Sequence, residues 1–155
     1  MTTRSLAAAL LLVVALALAA CGGSGDTSIS VDGLQIEGGA DGLTVNVDGQ
    51  TLEMQNENAK VPDDFPAAIP LPDGDPQTAM KASADGQPIW TLTYPGDAAA
   101  YDSYVSKIVN ETGQESTFSM DQEGLKSSTY AIDGNDVSVQ LIDGVGLSIV
   151  VQPQK

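Results

Sequence analysis

Cys21 is the only cysteine in this chain of 155 residues, and there is no histidine. A thiolate is the best nucleophile such a composition offers. Its setting is specific: Leu6 to Ala20 is an unbroken run of Leu, Val and Ala that ends against Cys21. All other chemistry must come from Asp, Glu, Lys, Ser, Thr and Tyr. Without histidine, Cys/His zinc sites and the Ser-His-Asp and Cys-His catalytic arrangements are excluded. A single cysteine also excludes a disulfide within the chain.

Acidic side chains cluster at Asp63 and Asp64, at Asp73 and Asp75, and at Asp133, Asn135 and Asp136. A calcium site needs about six to eight oxygens, including a bidentate carboxylate late in the loop. Asp133-Gly134-Asn135-Asp136 lacks that spacing, and Asx-Gly pairs make turns on their own account. No metal site and no cofactor are therefore expected; a weak cation-binding structural domain is the alternative. A carboxylate pair could hydrolyse glycosides, but nothing nominates a buried pair, so the chain is not expected to be an enzyme. The aromatic concentration is Trp90, Tyr94, Tyr101 and Tyr104. These rings would either pack a helix on its sheet or line a groove for a small apolar or sugar ligand.

The leader positions Cys21. Arg4 sits beside the amino terminus, and the fifteen apolar residues that follow are too few to span a bilayer, which takes roughly 20. They suit the apolar part of an export signal. Leu18-Ala19-Ala20-Cys21 resembles the lipobox of bacterial lipoproteins at all four positions. That resemblance implies cleavage between Ala20 and Cys21, lipidation of Cys21 (a diacylglyceryl group, with palmitate-like chains) and a mature chain held on the extracytoplasmic face of the cell membrane. Removing residues 1–20 takes Arg4 with it, leaving five lysines against twenty-one acids, a net charge of −16 rather than −15. Such a charge argues against nucleic acid, whose phosphates need a basic surface.

Residues 21–28 form a Gly/Ser tether. Residues 29–54 read as a duplicated β-hairpin meander, ISVDGLQIE aligning with VNVDGQTLE sixteen residues on. Asp32-Gly33 and Asp48-Gly49 are two-residue turn signals between alternating apolar residues. They set Val31 against Leu34, Ile29 against Ile36, Val45 against Leu52 and Leu43 against Met54. Residues 55–76 are a polar and proline-rich linker, with five prolines from Val61 to Pro76. The prolines keep it extended, and Phe65, Ile69 and Leu71 are spaced to press on a surface. Val61-Pro62-x-Asp64-Phe65-Pro66-x-x-x-Pro70-Leu71-Pro72 resembles a strip in secreted lipoproteins of actinobacteria, a resemblance that implies no activity.

Residues 77–155 read as an α+β domain. Strands over 78–84 and 89–94 would close on a three-residue loop, 85–87, placing Met80 opposite Leu92 and Ala82 opposite Trp90. Asp97 caps a helix to Thr112; Tyr101, Tyr104, Val105 and Ile108 form its apolar stripe, and Gly113 stops it. Four strands follow, with Leu141 against Leu147 and Val139 against Ile149. The expected fold is α+β, one helix packed on an antiparallel sheet in the order β-β-α-β-β-β-β, preceded by the meander and the proline belt. The expected function is a non-enzymatic, membrane-anchored lipoprotein in envelope interaction or small-ligand binding. An inhibitor or accessory protein docking an envelope enzyme is the alternative.

Overall fold

The computed structural model describes residues 27–31, 34–39, 42–47, 50–55, 59–84, 86–122 and 124–154. Ten strands and one helix follow in chain order: β1 (Thr27–Val31), β2 (Leu34–Gly39), β3 (Gly42–Val47), β4 (Gln50–Gln55), β5 (Thr78–Ala84), β6 (Gln87–Tyr94), α1 (Ala98–Thr112), β7 (Phe118–Gln122), β8 (Leu125–Ile132), β9 (Asn135–Ile142) and β10 (Gly146–Pro153). All ten strands belong to one sheet in the order β1-β2-β3-β4-β5-β6-β10-β9-β8-β7. Every neighbouring pair is antiparallel.

This corrects the α+β expectation. Over the described residues the fold is essentially all-β, a single sheet with one helix laid on it. The reason is the pairing of β4 with β5, Leu52 against Ala82 through Gln55 against Ala79. It welds the meander into the main sheet across the proline belt, so one sheet crosses the expected boundaries at 54 and 77. The helix is a crossover: β6 and β7 lie four strand spacings apart, about 19 Å, and its fifteen residues reach about 22 Å.

Local signals explain the ends of α1. Asp97 Oδ1 accepts the Ala100 N–H at 3.0 Å, and Gly113, at φ 69°, donates its N–H to the Val109 carbonyl at 2.9 Å. The two Asp-Gly turns lie outside the described residues, but the strands beside them pair in the register the sequence predicts. The β9–β10 register also agrees, Leu141 with Leu147 and Val139 with Ile149.

The β5–β6 register differs. Ala84 pairs with Gln87, Met80 with Thr91 and Ala82 with Ile89. That pairing leaves two residues between the strands, of which Gly86 sits at φ 75° and Asp85 lies outside the described residues. Moving the pairing by one residue sends each side chain to the other face. Met80 and Ala82 therefore lie opposite the face that holds Trp90 and Leu92.

That shift exposes an inversion across the sheet. On one face Trp90, Leu92 and Tyr94 align with Val151, Ile149 and Leu147, then with Val137 and Val139, then with Tyr130. Here α1 packs on β8 and β9, and Ile108, Ile149, Val137 and Val139 are fully buried. The same face of β4 shows Thr51, Glu53 and Gln55. On the other face the apolar row is Leu34 and Ile36, Val45 and Val47, Leu52 and Met54, and Met80.

The proline belt lies on the helix side. Phe65 donates its N–H to the Pro62 carbonyl and Ile69 to that of Pro66, turning the belt twice. Ile69 is buried, and Phe65 and Leu71 pack against the core. Phe65 meets Trp90 edge to face, centroids 6.2 Å apart.

Candidate functional site

Trp90, Tyr94, Tyr101 and Tyr104 come together beneath α1 and the belt, but as core. Their exposures are 5, 2, 5 and 3 %, so the rings themselves line no open groove. Their polar atoms mostly tie elements together. Trp90 donates Nε1–H to Asp64 Oδ1 at 3.3 Å, Tyr104 donates its hydroxyl to the Pro70 carbonyl at 2.8 Å, and Tyr101 and Ser128 share a hydrogen bond of 2.7 Å. Tyr130, which the sequence placed only in a strand, completes this group on β8.

The Tyr94 hydroxyl is buried with no hydrogen-bond partner among the described residues. An unpaired buried hydroxyl costs about 1 to 3 kcal/mol. Tyr94→Phe is therefore expected to raise stability by about 1 kcal/mol, whereas Tyr104→Phe, which loses a made bond, lowers it by about as much. Chemical denaturation of both variants checks the opposite signs.

Burial pushes all four of these phenols up. Tyr94 reaches about 12, with the carboxylate of Asp75 adding to the desolvation. Burial drives Tyr104 well above the ordinary tyrosine value and also raises Tyr101 and Tyr130. Below pH 10 the phenols are protonated in both folded and unfolded chains, and stability is at its full value. Above the unfolded value of 10 only the unfolded chain releases the protons, so stability falls as pH rises towards about 12. The expected outcome is alkaline unfolding in that window, with phenolate absorbance rising together with the loss of β-sheet circular dichroism.

Two lysines sit beside this core. Lys81 pairs with Asp64 at 2.6 Å. Lys126 pairs with Asp102 at 2.9 Å and lies 5.5 Å from the centre of the Tyr101 ring. Hydrogen bonding to Asp64 raises Lys81, and hydrogen bonding to Asp102 raises Lys126. Both amines are held as cations, the wrong state for a nucleophile or base. Lys81 in turn holds the Asp64 carboxyl below the usual carboxylate range.

Two surface hollows lie among the described residues. One of about 510 Å³ lies at the start of α1, between Asp97, Asp121, Lys126, Ile142 and Asp143. The other, about 340 Å³, lies between belt and sheet, lined by Thr51, Glu53, Asp64, Lys81, Ser83 and Pro88. Neither contains Trp90 or any of the tyrosines. No acidic cluster among the described residues could hold a metal ion. Asp133, at φ 47°, and Asn135 make a turn instead, Asn135 Nδ2 donating to the Asp133 carbonyl at 3.0 Å. Asp136 accepts from Gln154 at 3.0 Å.

Cys21, with the cleavage position Ala20-Cys21, lies outside the described residues. Among the described residues no helix is long and apolar enough to cross a membrane. No family model, curated protein or solved structure matches the chain.

Proposed function

We propose that the chain is a lipid-anchored, extracytoplasmic lipoprotein that works in the cell envelope by binding rather than by catalysis. The observation that carries this reading is Leu18-Ala19-Ala20-Cys21 at the end of a fifteen-residue apolar run. A thiolate can take the lipid, and each buried acyl CH₂ adds about 0.8 kcal/mol to membrane attachment, so two or three chains hold firmly where one does not. The state of the side chains supports a non-catalytic role. The four core phenols are kept protonated, Lys81 and Lys126 are kept charged, and the acidic clusters serve turns and ion pairs.

The intact mass of the native protein tests the proposal. The expected species begins at Cys21 and carries the added mass of two or three acyl chains. An unmodified thiol at Cys21, or a chain that retains residues 1–20, overturns it.

A further inference from the structure

We propose that Asp73-Gly74, on the outer arch of the proline belt, is the site at which the folded chain converts an aspartyl bond into an isoaspartyl one. Three Asp-Gly pairs lie wholly among the described residues: Asp73-Gly74, Asp133-Gly134 and Asp143-Gly144. All three are the same reactive dipeptide, a carboxyl group beside a backbone nitrogen whose own residue has no Cβ to crowd it. Only the fold separates them.

The chemistry needs no partner. The Gly74 nitrogen attacks the Asp73 carboxyl carbon, Cγ. The nitrogen gives up its hydrogen, and the carboxyl, protonated from solvent, gives up a hydroxyl. The two leave as water and an imide ring closes. Water then reopens the ring on one of its two sides. Attack at Cγ restores aspartate. Attack at the former backbone carbonyl carbon leaves the chain running through Cγ and frees an α-carboxylate. Atoms balance over the two steps, nothing is oxidised or reduced, and the net charge is unchanged. The backbone is longer by one methylene.

Ring closure requires the nitrogen and Cγ to approach to about 3 to 3.5 Å, so the backbone between them must be free to turn. Room does not decide the matter, because a Cβ at Gly74, Gly134 or Gly144 would meet nothing within 4 Å. The hold on the backbone does. Asp133 and Gly134 lie in the two-residue turn between the paired Ile132 and Asn135. The Asp133 carbonyl accepts from Asn135 Nδ2 at 3.0 Å, and the Gly134 carbonyl from the Gln154 N–H at 2.9 Å. Asp143 donates its N–H to the Gly124 carbonyl at 3.0 Å. Val145 closes the turn over Asp143-Gly144 by donating to the Ile142 carbonyl, also at 3.0 Å.

Asp73-Gly74 has no such hold. Among the described residues, the backbone groups of 71–76 make no hydrogen bond. The arch is pinned only at its feet: Tyr104 donates its hydroxyl to the Pro70 carbonyl at 2.8 Å, and Gln77 its N–H to the Thr93 carbonyl at 2.7 Å. Pro72 and Pro76 restrict Leu71 and Asp75, the residues before them, and leave Asp73 and Gly74 free. The Asp73 side chain is 99 % exposed and meets Lys107 Nζ at 3.0 Å. An ion pair this open holds a carboxylate weakly. Both feet lie outside the reacting pair, so conversion leaves the belt seated and moves only the carboxylate that meets Lys107.

The test keeps the full chain folded in neutral buffer made with heavy-oxygen water. The protein is then digested in ordinary water and sequenced by electron-transfer mass spectrometry. Each ring opening leaves one heavy oxygen at the residue that reacted, and fragments specific to the isoaspartyl link separate the two products. Asp73 should take up label about tenfold faster than Asp133 or Asp143, which corresponds to about 1.4 kcal/mol of turn opening. In denaturant that lead should disappear. Asp73→Glu, which keeps the charge but would have to close a larger ring, should lose the label at this position. Circular dichroism over the incubation confirms that the native sample stays folded. Equal labelling of the three pairs in the folded chain, no label at Asp73, or a lead that persists in denaturant overturns the proposal.

Discussion

Gly146→Ala is expected to destabilise the protein by about 2 to 5 kcal/mol, a large part of the 5 to 15 kcal/mol that holds a domain of this size. Two independent causes meet at this residue. Its φ is 111°, outside the range that L side chains adopt readily, and a Cβ there would stand 2.5 Å from the Tyr94 carbonyl oxygen. Neither can relax cheaply. Gly146 opens β10, paired with Ile142, and the next residue, Leu147, pairs with Tyr94, so the clashing atoms are backbone on two adjacent strands. Gly144→Ala is the internal control. Gly144 also has a positive φ, 75°, but nothing lies within 4 Å of its Cβ position, so only the conformational cost of about 1 kcal/mol remains. Thermal denaturation of both variants checks the difference: the Gly146 variant should lose roughly 10 °C and the Gly144 variant no more than a few. Equal losses would mean that the close approach to Tyr94 is not what makes Gly146 necessary.

Ile108→Ala is expected to cost about 2 to 5 kcal/mol. Ile108 is fully buried, and with Tyr101 and Tyr104 it makes up the whole buried stripe of α1. Val105 packs partly buried beside this stripe, while Val109 is exposed. Helices of fifteen residues are marginal in isolation, so α1 depends on this packing. The loss should reach beyond the helix: Tyr104 holds the belt at Pro70 and Lys107 meets Asp73. Hydrogen exchange should therefore show faster exchange in α1 and at Ile69 than in β2–β4, whose apolar residues lie on the other face. Uniform acceleration across the sheet would count against this local account.

Much of the local structure could be read from residue types. Asp97 and Gly113 bound α1 because capping involves atoms within a few residues of each other. Val31 with Leu34 and Val45 with Leu52 pair as alternation and Asp-Gly require, since a two-residue turn leaves one register. The same logic failed at Asp85-Gly86-Gln87. A three-residue loop is also a common hairpin connection, and only the pairing of Ala84 with Gln87 decides between them. That one residue matters beyond the turn, because it sends Met80 and Ala82 to the face opposite Trp90.

The candidate site divides in the same way. Cys21 and the apolar run before it are contiguous in sequence, readable without any fold. Trp90, Tyr94, Tyr101 and Tyr104 are not, because a ring that packs a core and a ring that lines a groove have the same spacing along the chain. Phe65 and Ile69 from the belt and Ile108 from the helix close over them.

Alone, the chain of residue types determined the apolar run before Cys21, the acidic balance, the absence of histidine chemistry, the helix with its caps, and the hairpins with short turns. Each depends on neighbours in sequence. Tertiary structure alone decided that β4 joins β5 across more than twenty intervening residues, making one ten-stranded sheet of what reads as two units. It also decided that the two halves of that sheet turn their apolar rows to opposite sides. The physical reason is that strand pairing between distant segments is chosen by the total surface buried and the backbone bonds closed, quantities that no local window of residues contains.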